Sequence, residues 1–263
     1  MPNERAVLLH GFLGSDSSYE DVLMQLNLEQ APLCPALYGH NGAPDLPPSH
    51  DFESEVTRLE QTIESYAGET PVHLAGYSLG ARLALALLVR APRLFHSATL
   101  VSGRRGLDSP EERSQRLETD QSWATQLRSR SLAEFLSEWE TQPLFFPMQQ
   151  LAPKTLARLR RERLRHDPQS LARALLALSL ARMPTFGADL PQIAVPVTLL
   201  AGSLDPKFVV LGKELASRVP NAKFNVVDGA GHSLLIERPD AVAAAIRQGL
   251  NHAQRYVETS PNL

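Results

Sequence analysis

Cysteine is nearly absent from this chain of 263 residues, since Cys34 is the single one. One cysteine excludes an intrachain disulfide and any metal site built from several cysteines, and it fits a reducing compartment. No apolar run approaches the roughly 18 residues that a membrane helix needs. The first apolar run, residues 6–9, is shorter than a signal-peptide core. We therefore expect a cytoplasmic protein without a membrane partner.

A large excess of charge of one sign is also missing. The chain has 26 Lys and Arg against 29 Asp and Glu, a net charge of −3. Composition therefore gives no electrostatic footprint for nucleic acid. The balance is nevertheless uneven along the chain. Residues 104–184 hold 14 Lys and Arg and 10 Asp and Glu, whereas the remaining residues hold 12 and 19.

Short apolar runs alternate with helical patterns through most of the chain. This alternation predicts an α/β fold with a parallel central sheet and helices on both faces. The pattern predicts strands at 6–9, 72–75, 98–101, 196–201 and 224–227, and helices at 53–67, 79–89 and 240–250.

The middle of the chain breaks this alternation, because residues 110–184 show helical patterns and no strand. We interpret residues 104–184 as a helical lid inserted into a core formed by residues 1–103 and 185–263.

A Gly-x-Ser-x-Gly pentapeptide, Gly76 to Gly80, lies between a predicted strand and a predicted helix. In this context the motif predicts a sharp turn that presents Ser78 at the carboxyl edge of the sheet. Glycine at both ends allows close backbone contact where a side chain would clash. An ordinary turn with a capping serine is the alternative.

A serine hydroxyl needs a base, and an imidazole base needs an acid that orients it. Of the eight histidines, His232 follows the fifth predicted strand in a glycine-rich loop, and Asp205 follows the fourth. Asp228 competes with Asp205, but its position favours a turn cap. The backbone amides of Phe12 and Leu79 are the candidates for an oxyanion hole.

The middle segment is rich in arginine, whose planar fork suits carboxylates and phosphates. Most of these side chains individually favour an ordinary solvated helix face. Arg82 differs, because it interrupts an apolar helix one turn after Ser78. It either points toward the pocket or is a core arginine paired with a structural carboxylate. The arginines of the segment include Arg104, Arg113, Arg116, Arg128, Arg158, Arg160, Arg161, Arg163, Arg173 and Arg182.

These elements, in the order Ser78, Asp205, His232, resemble the α/β-hydrolase superfamily over nearly the whole chain. Both the core and the lid also resemble the 2-succinyl-6-hydroxy-2,4-cyclohexadiene-1-carboxylate (SHCHC) synthase family of menaquinone biosynthesis. Ala81 and Pro206 depart from that family's common residues without removing a functional group. The resemblance is carried by the segments at 76–84, 120–124, 135–139, 142–145, 179–184 and 202–208.

The resemblance implies a lyase that eliminates pyruvate from 2-succinyl-5-enolpyruvyl-6-hydroxy-3-cyclohexene-1-carboxylate, a tricarboxylate, without metal or organic cofactor. Ser78, Asp205 and His232 would form a triad in which the serine oxygen is a general base on a ring C–H. Negative charge would spread into the conjugated ring carboxylate. Carried over by position, the substrate-binding residues are Tyr77, Arg82, Arg116, Trp139 and Arg163.

Each of these binding residues also has a plainer interpretation. Trp139 lies on an apolar helical stripe and could be lid core, and neighbouring arginines allow a register error at Arg163. A carboxylesterase or carbon–carbon bond hydrolase could use the same three residues. A non-catalytic small-molecule binding protein is the alternative of another class. We expect a small anionic ligand and a monomer or small homo-oligomer.

Overall fold

Five parallel strands form one sheet in the described part of the chain, residues 4–259 of a computed structural model. The strands are hydrogen-bonded neighbours in the order in which they occur in the sequence. The predicted fold class, a parallel sheet in an α/β chain, is confirmed. The strands are β1 (Ala6–Leu9), β2 (Val72–Tyr77), β3 (Phe95–Val101), β4 (Val197–Gly202) and β5 (Ala222–Val227).

Helices cover both faces of the sheet, which explains why β1 to β4 are almost wholly buried. One face packs against α1 (Glu20–Leu26), α9 (Leu234–Glu237) and α10 (Pro239–Thr259). The other face packs against α2 (Phe52–Ala67), α3 (Leu79–Arg90) and α8 (Pro206–Arg218). No helix within residues 4–259 is both long and apolar enough to cross a membrane.

Two of these helices, α1 and α8, go beyond the sequence prediction. Helix α8 begins as helices typically do, with the Asp205 side chain accepting a hydrogen bond from the Phe208 amide and proline at the first position. Helix α1 has seven residues and ends at Asn27, whose φ is +46°. So short a helix leaves a weak periodic signal in the sequence.

The segment between β3 and β4 is helical. It contains α4 (Pro110–Ser129), α5 (Leu132–Trp139), α6 (Pro153–Arg163) and α7 (Pro168–Ala177). Side chains of α4, α5 and α7 form a separate apolar cluster, which Leu13 joins from the loop after β1. This contact sets the helices of the segment over the carboxyl ends of the strands, where α/β folds hold their ligands.

Candidate active site

Ser78 lies between β2 and α3 with a backbone φ of +52°, in the left-handed region that a non-glycine residue rarely adopts. The flanking glycines make this turn possible. A Cβ on Gly76 would lie 2.5 Å from the Gly80 oxygen, and one on Gly80 would lie 2.1 Å from the Leu9 oxygen. The chain can therefore turn sharply and leave Ser78 partly exposed.

Ser78, His232 and Asp205 form one hydrogen-bonded chain. The Nε2 atom of His232 lies 3.1 Å from the Ser78 hydroxyl, and its Nδ1 atom lies 2.8 Å from Oδ2 of Asp205. His232 and Asp205 are buried, whereas Ser78 faces a cavity. The structure thus places the three side chains in the geometry that lets an imidazole accept a serine proton and hold it beside a carboxylate.

Glycine and a capping interaction bring the acid and the imidazole together. Asp205 is the N-cap of α8, and its second oxygen, Oδ1, accepts from the Phe208 amide. A Cβ on Gly202 would lie about 2 Å from the carbonyl oxygens of Ala230 and Gly231. Glycine at the end of β4 therefore lets the His232 loop pack directly against the strand. Asp228, the competing acid, is exposed and accepts from the Ser203 hydroxyl instead.

Phe12, in the loop after β1, lines the same cavity as Leu79, and the backbone amides of these two residues are the candidate oxyanion donors. Neither amide donates to a protein acceptor among residues 4–259. The loop is fixed by Leu13, whose φ is +63° and whose amide donates to Nε2 of His40. Two free amides near Ser78 are the arrangement that an oxyanion requires.

A cavity of about 690 Å³ opens at Ser78, between the sheet edge and the helices of the middle segment. The structure brings all the site residues proposed from the sequence to its wall. These are Phe12, Tyr77, Ser78, Leu79, Arg82, Arg116, Trp139, Arg163, Asp205 and His232.

Arg82 and Arg116 both line the cavity. Arg82 donates to the Leu178 carbonyl at 3.0 Å, and no carboxylate of the described residues lies within 4.0 Å of it. Burial, followed by the charge of Arg116, lowers the pKa of Arg82 to about 9. Arg116 pairs through Nε with the buried Asp120, which also accepts from Ser179. The structural carboxylate that the sequence allowed for Arg82 is therefore not beside it.

Aromatic side chains, among them Tyr77 and Trp139, also line the cavity. The Trp139 ring lies 5.4 Å from Phe12 and 5.6 Å from Phe135, so it both lines the cavity and packs in the apolar cluster of the segment. Burial raises the pKa of the Tyr77 phenol to about 12, which keeps the phenol neutral. Arg163 is buried and donates to Glu140 at 2.8 Å.

Several residues at the site lay outside the sequence prediction. The rings of Phe208 and Phe145 lie 4.6 and 6.4 Å from that of His232. Phe208 follows Asp205 by three residues on a helix, a spacing that could have pointed to it. Away from the cavity, His50 and His166 are also buried, the first beside Glu55 and the second beside His40.

The fold and the site together define the class of protein. The chain belongs to the alpha/beta hydrolase family, whose model matches residues 6–245. Among curated relatives, the 2-succinyl-6-hydroxy-2,4-cyclohexadiene-1-carboxylate synthase of Klebsiella pneumoniae subsp. pneumoniae is 30% identical over 249 residues, which cover 92% of each chain. The chain is thus an enzyme of the SHCHC synthase family within the alpha/beta hydrolases.

Solved structures agree with this grouping. MenH from S. aureus superposes with a TM-score of 0.91 at 27% identity, covering 97% of this chain and 96% of the other. A thermophilic esterase from Thermogutta terrifontis, with malate bound, has a TM-score of 0.81 at 24% identity and covers 96% of this chain and 91% of its own. The second similarity shows the shared fold alone.

Proposed function

We propose that the chain is a carbon–oxygen lyase that forms SHCHC by eliminating pyruvate from 2-succinyl-5-enolpyruvyl-6-hydroxy-3-cyclohexene-1-carboxylate, a step of menaquinone biosynthesis. The observation that carries the proposal is the hydrogen-bonded chain from Asp205 through His232 to Ser78. It ends in a cavity whose wall presents arginine to the ligand. The names of the relatives at about 30% identity support the same reaction.

The reaction is a 1,4-elimination, as the names of substrate and product require. His232 takes the Ser78 proton, and the serine oxygen removes the proton from ring carbon 2. The C–H electrons form the 2,3 double bond, the old 3,4 double bond moves to 4,5, and the carbon 5–oxygen bond breaks. The leaving enolate takes a proton from His232 and becomes pyruvate. Ser78 is a base in this scheme and forms no acyl intermediate.

Charge develops on the ligand as the ring proton leaves. Carbon 2 carries the succinyl group, so the electrons delocalise onto the succinyl carbonyl, which we prefer to the ring carboxylate as the site of charge. Phe12 and Leu79 line the cavity, and their backbone amides, which have no backbone acceptor in the described residues, would donate to that oxygen. Preorganised donors of this kind act without reorganising at the moment of reaction.

The three carboxylates of the substrate give the charged cavity wall a role. We assign Arg82, Arg116 and Arg163 to them, while Tyr77 and Trp139 supply the walls against the ring. In this proposal residues 104–184 are the lid, and residues 1–103 and 185–263 are the core. The supporting observations are the separate apolar cluster of α4, α5 and α7 and the cavity beneath it.

Ser78→Ala tests the proposed role of the serine. We expect it to lower kcat for pyruvate release by at least about a hundredfold, because removal of a general base typically costs that much. Ser137→Ala is the matched control, since Ser137 lies exposed on α5 and donates to the Ala133 carbonyl. Pyruvate is measured with a coupled dehydrogenase above the rate without protein. Wild-type turnover by Ser78→Ala would contradict the assignment.

A further inference from the structure

Arg104 lies at the cavity wall two residues after Ser102, at the end of β3. It is partly buried, and its Nη2 atom donates to the Gly106 carbonyl at 3.1 Å. Its Nε atom is buried without a hydrogen-bond partner. No Asp or Glu oxygen of residues 4–252, whose side chains the structure describes, lies within 4.0 Å of its guanidinium. A buried guanidinium nitrogen is ordinarily hydrogen-bonded, and a carboxylate is its usual partner, so the Nε of Arg104 lacks that partner.

The nearby arginine charges make the lack of a carboxylate partner for Arg104 more unfavourable in free energy, because like charges repel. Arg82 and Arg104 are held by backbone carbonyls, and Asp120 pairs with Arg116. Burial first, and then the charge of Arg116, lowers the pKa of Arg104 as well as that of Arg82. Across the whole cavity wall, five cationic side chains face two carboxylates, one of which is committed to His232.

Other arginines of the same segment show the contrast. Arg113 also donates to backbone carbonyls, those of Ala181 and Met183, but it lies outside the cavity. Arg105, the next residue in the chain, pairs with Asp108 and Glu214. Arg104 therefore differs from both, because it combines a position on the cavity wall with the lack of a carboxylate partner.

We infer that Arg104 is a substrate-binding residue that completes, with Arg82 and Arg116, a subsite for one carboxylate of a polycarboxylate ligand. This inference rests on the proposed function for the role of the site and adds a residue that sets its charge selectivity. A carboxylate of the ligand would pair with the guanidinium groups of Arg104 and Arg82, neither of which has a carboxylate of the described side chains within 4.0 Å. The subsite would therefore favour ligands with several carboxylates over neutral esters of the same shape.

Calorimetric titration with tricarballylate, a small tricarboxylate, tests the subsite without any turnover. The wild-type protein should bind tricarballylate but not its trimethyl ester, and added salt should weaken the binding. Arg104→Gln should raise the Kd about tenfold, the effect expected from one charge-assisted contact. Arg104→Lys keeps the charge and should recover part of the affinity, which separates the contact from a folding defect. Arg113→Gln is the matched control and should leave the Kd within about twofold.

Three results would overturn the inference: no binding of tricarballylate to the wild type, an unchanged Kd for Arg104→Gln, or an equal loss for Arg113→Gln. The outcome is separable from that of the proposed function. Binding that depends on Arg104 without any pyruvate release would leave the subsite standing and refute the lyase. If the enzyme releases pyruvate and Arg104→Gln changes neither the Kd for tricarballylate nor the KM, the lyase proposal stands and the subsite is refuted.

Discussion

Glu237 holds the loop that carries His232, although its own side chain lies outside the cavity wall. One carboxylate oxygen accepts from the Gly231 amide at 2.6 Å, and the other accepts from the Ser233 amide at 2.9 Å. These two amides flank His232 on either side. A single carboxylate thus fixes the backbone on which the imidazole is mounted, so we regard Glu237 as a positioning residue.

Glu237→Gln should therefore disturb both stability and turnover. Its new NH₂ group would face an amide N–H, so one buried donor loses its acceptor, which costs about 1–3 kcal/mol of unfolding free energy. Pyruvate release should fall in kcat more than it changes in KM, because the imidazole and not the binding wall moves. Urea unfolding and steady-state kinetics measure the two effects.

Asp240→Asn is the matched control for this substitution. Asp240 is exposed and pairs with Arg238, a surface ion pair whose removal typically costs less than about 1 kcal/mol. An effect of Glu237→Gln no larger than that of Asp240→Asn would show that the loop does not depend on Glu237.

The residues that the sequence could predict are those whose chemistry is local. Ser78 is predicted from the two flanking glycines and the helix that follows. His232 and Asp205 are predicted from their positions after the ends of strands. Glu237 and Gly202 give no such signal. Their effect on His232 arises only when the loop folds back on the end of β4, a contact that no spacing in the sequence encodes.

At the scale of elements, buried strands are predicted well because both faces are covered and the sequence becomes continuously apolar. The five predicted strands match β1 to β5 within a few residues at each end. The helices α1 and α8 fall outside the prediction, and α1 is so short that its periodic signal is weak. Helix α8 nevertheless positions the site, because Asp205 is its N-cap and accepts a hydrogen bond from the Phe208 amide in its first turn.

A cluster of two buried histidines, His166 and His40, connects the middle helices to the core. No pattern in the sequence predicts this contact. His166, just after α6, accepts from the Asn41 amide, and its ring lies 5.5 Å from that of His40. His40 in turn accepts from the Leu13 amide in the loop of Phe12. One side-chain cluster therefore links the proposed lid to the loop that supplies a proposed oxyanion donor.

Buried histidines give the whole molecule a characteristic pH dependence. Burial lowers the pKa of His10 and His96 to about 4 and that of His73 to about 3, and it also lowers those of His40 and His166. His10, His73 and His96 are therefore neutral in the folded state at pH 6, where an unfolded histidine with a pKa of about 6.5 already binds protons. Unfolding therefore takes up protons as the pH falls.

We expect the free energy of unfolding to be fully developed above about pH 6.5 and to decline as the pH falls toward 4. Each such histidine contributes a slope of up to about 1.4 kcal/mol per pH unit. Urea unfolding at pH 7, 5.5 and 4.5 measures this slope. His73→Gln should reduce the slope of the unfolding free energy against pH by the contribution of one proton. It should also lower the unfolding free energy at pH 7, because the His73 ring is hydrogen-bonded to the hydroxyls of Ser97 and Thr99. A free energy independent of pH over this range would contradict the assignment of neutral buried imidazoles.

The uneven distribution of charge along the chain is related to the arginines that line the cavity. The net charge of −3 averages an acidic remainder and a basic segment at 104–184, and that segment supplies arginines to the cavity wall above Ser78. A small polyanion that enters this cavity meets arginine side chains and the hydrogen-bonded pair of Ser78 and His232. This combination supports the proposed proton abstraction from a polycarboxylate.

Pyruvate release by the wild-type protein from freshly prepared 2-succinyl-5-enolpyruvyl-6-hydroxy-3-cyclohexene-1-carboxylate tests the central claim most directly. Pyruvate and the conjugated ring diene are followed together, the first by a coupled dehydrogenase and the second by its ultraviolet absorbance. The account predicts that both appear at equal rates, in a ratio of one to one, and well above the rate without protein. Consumption of the substrate without pyruvate, or no acceleration over the control, would contradict it.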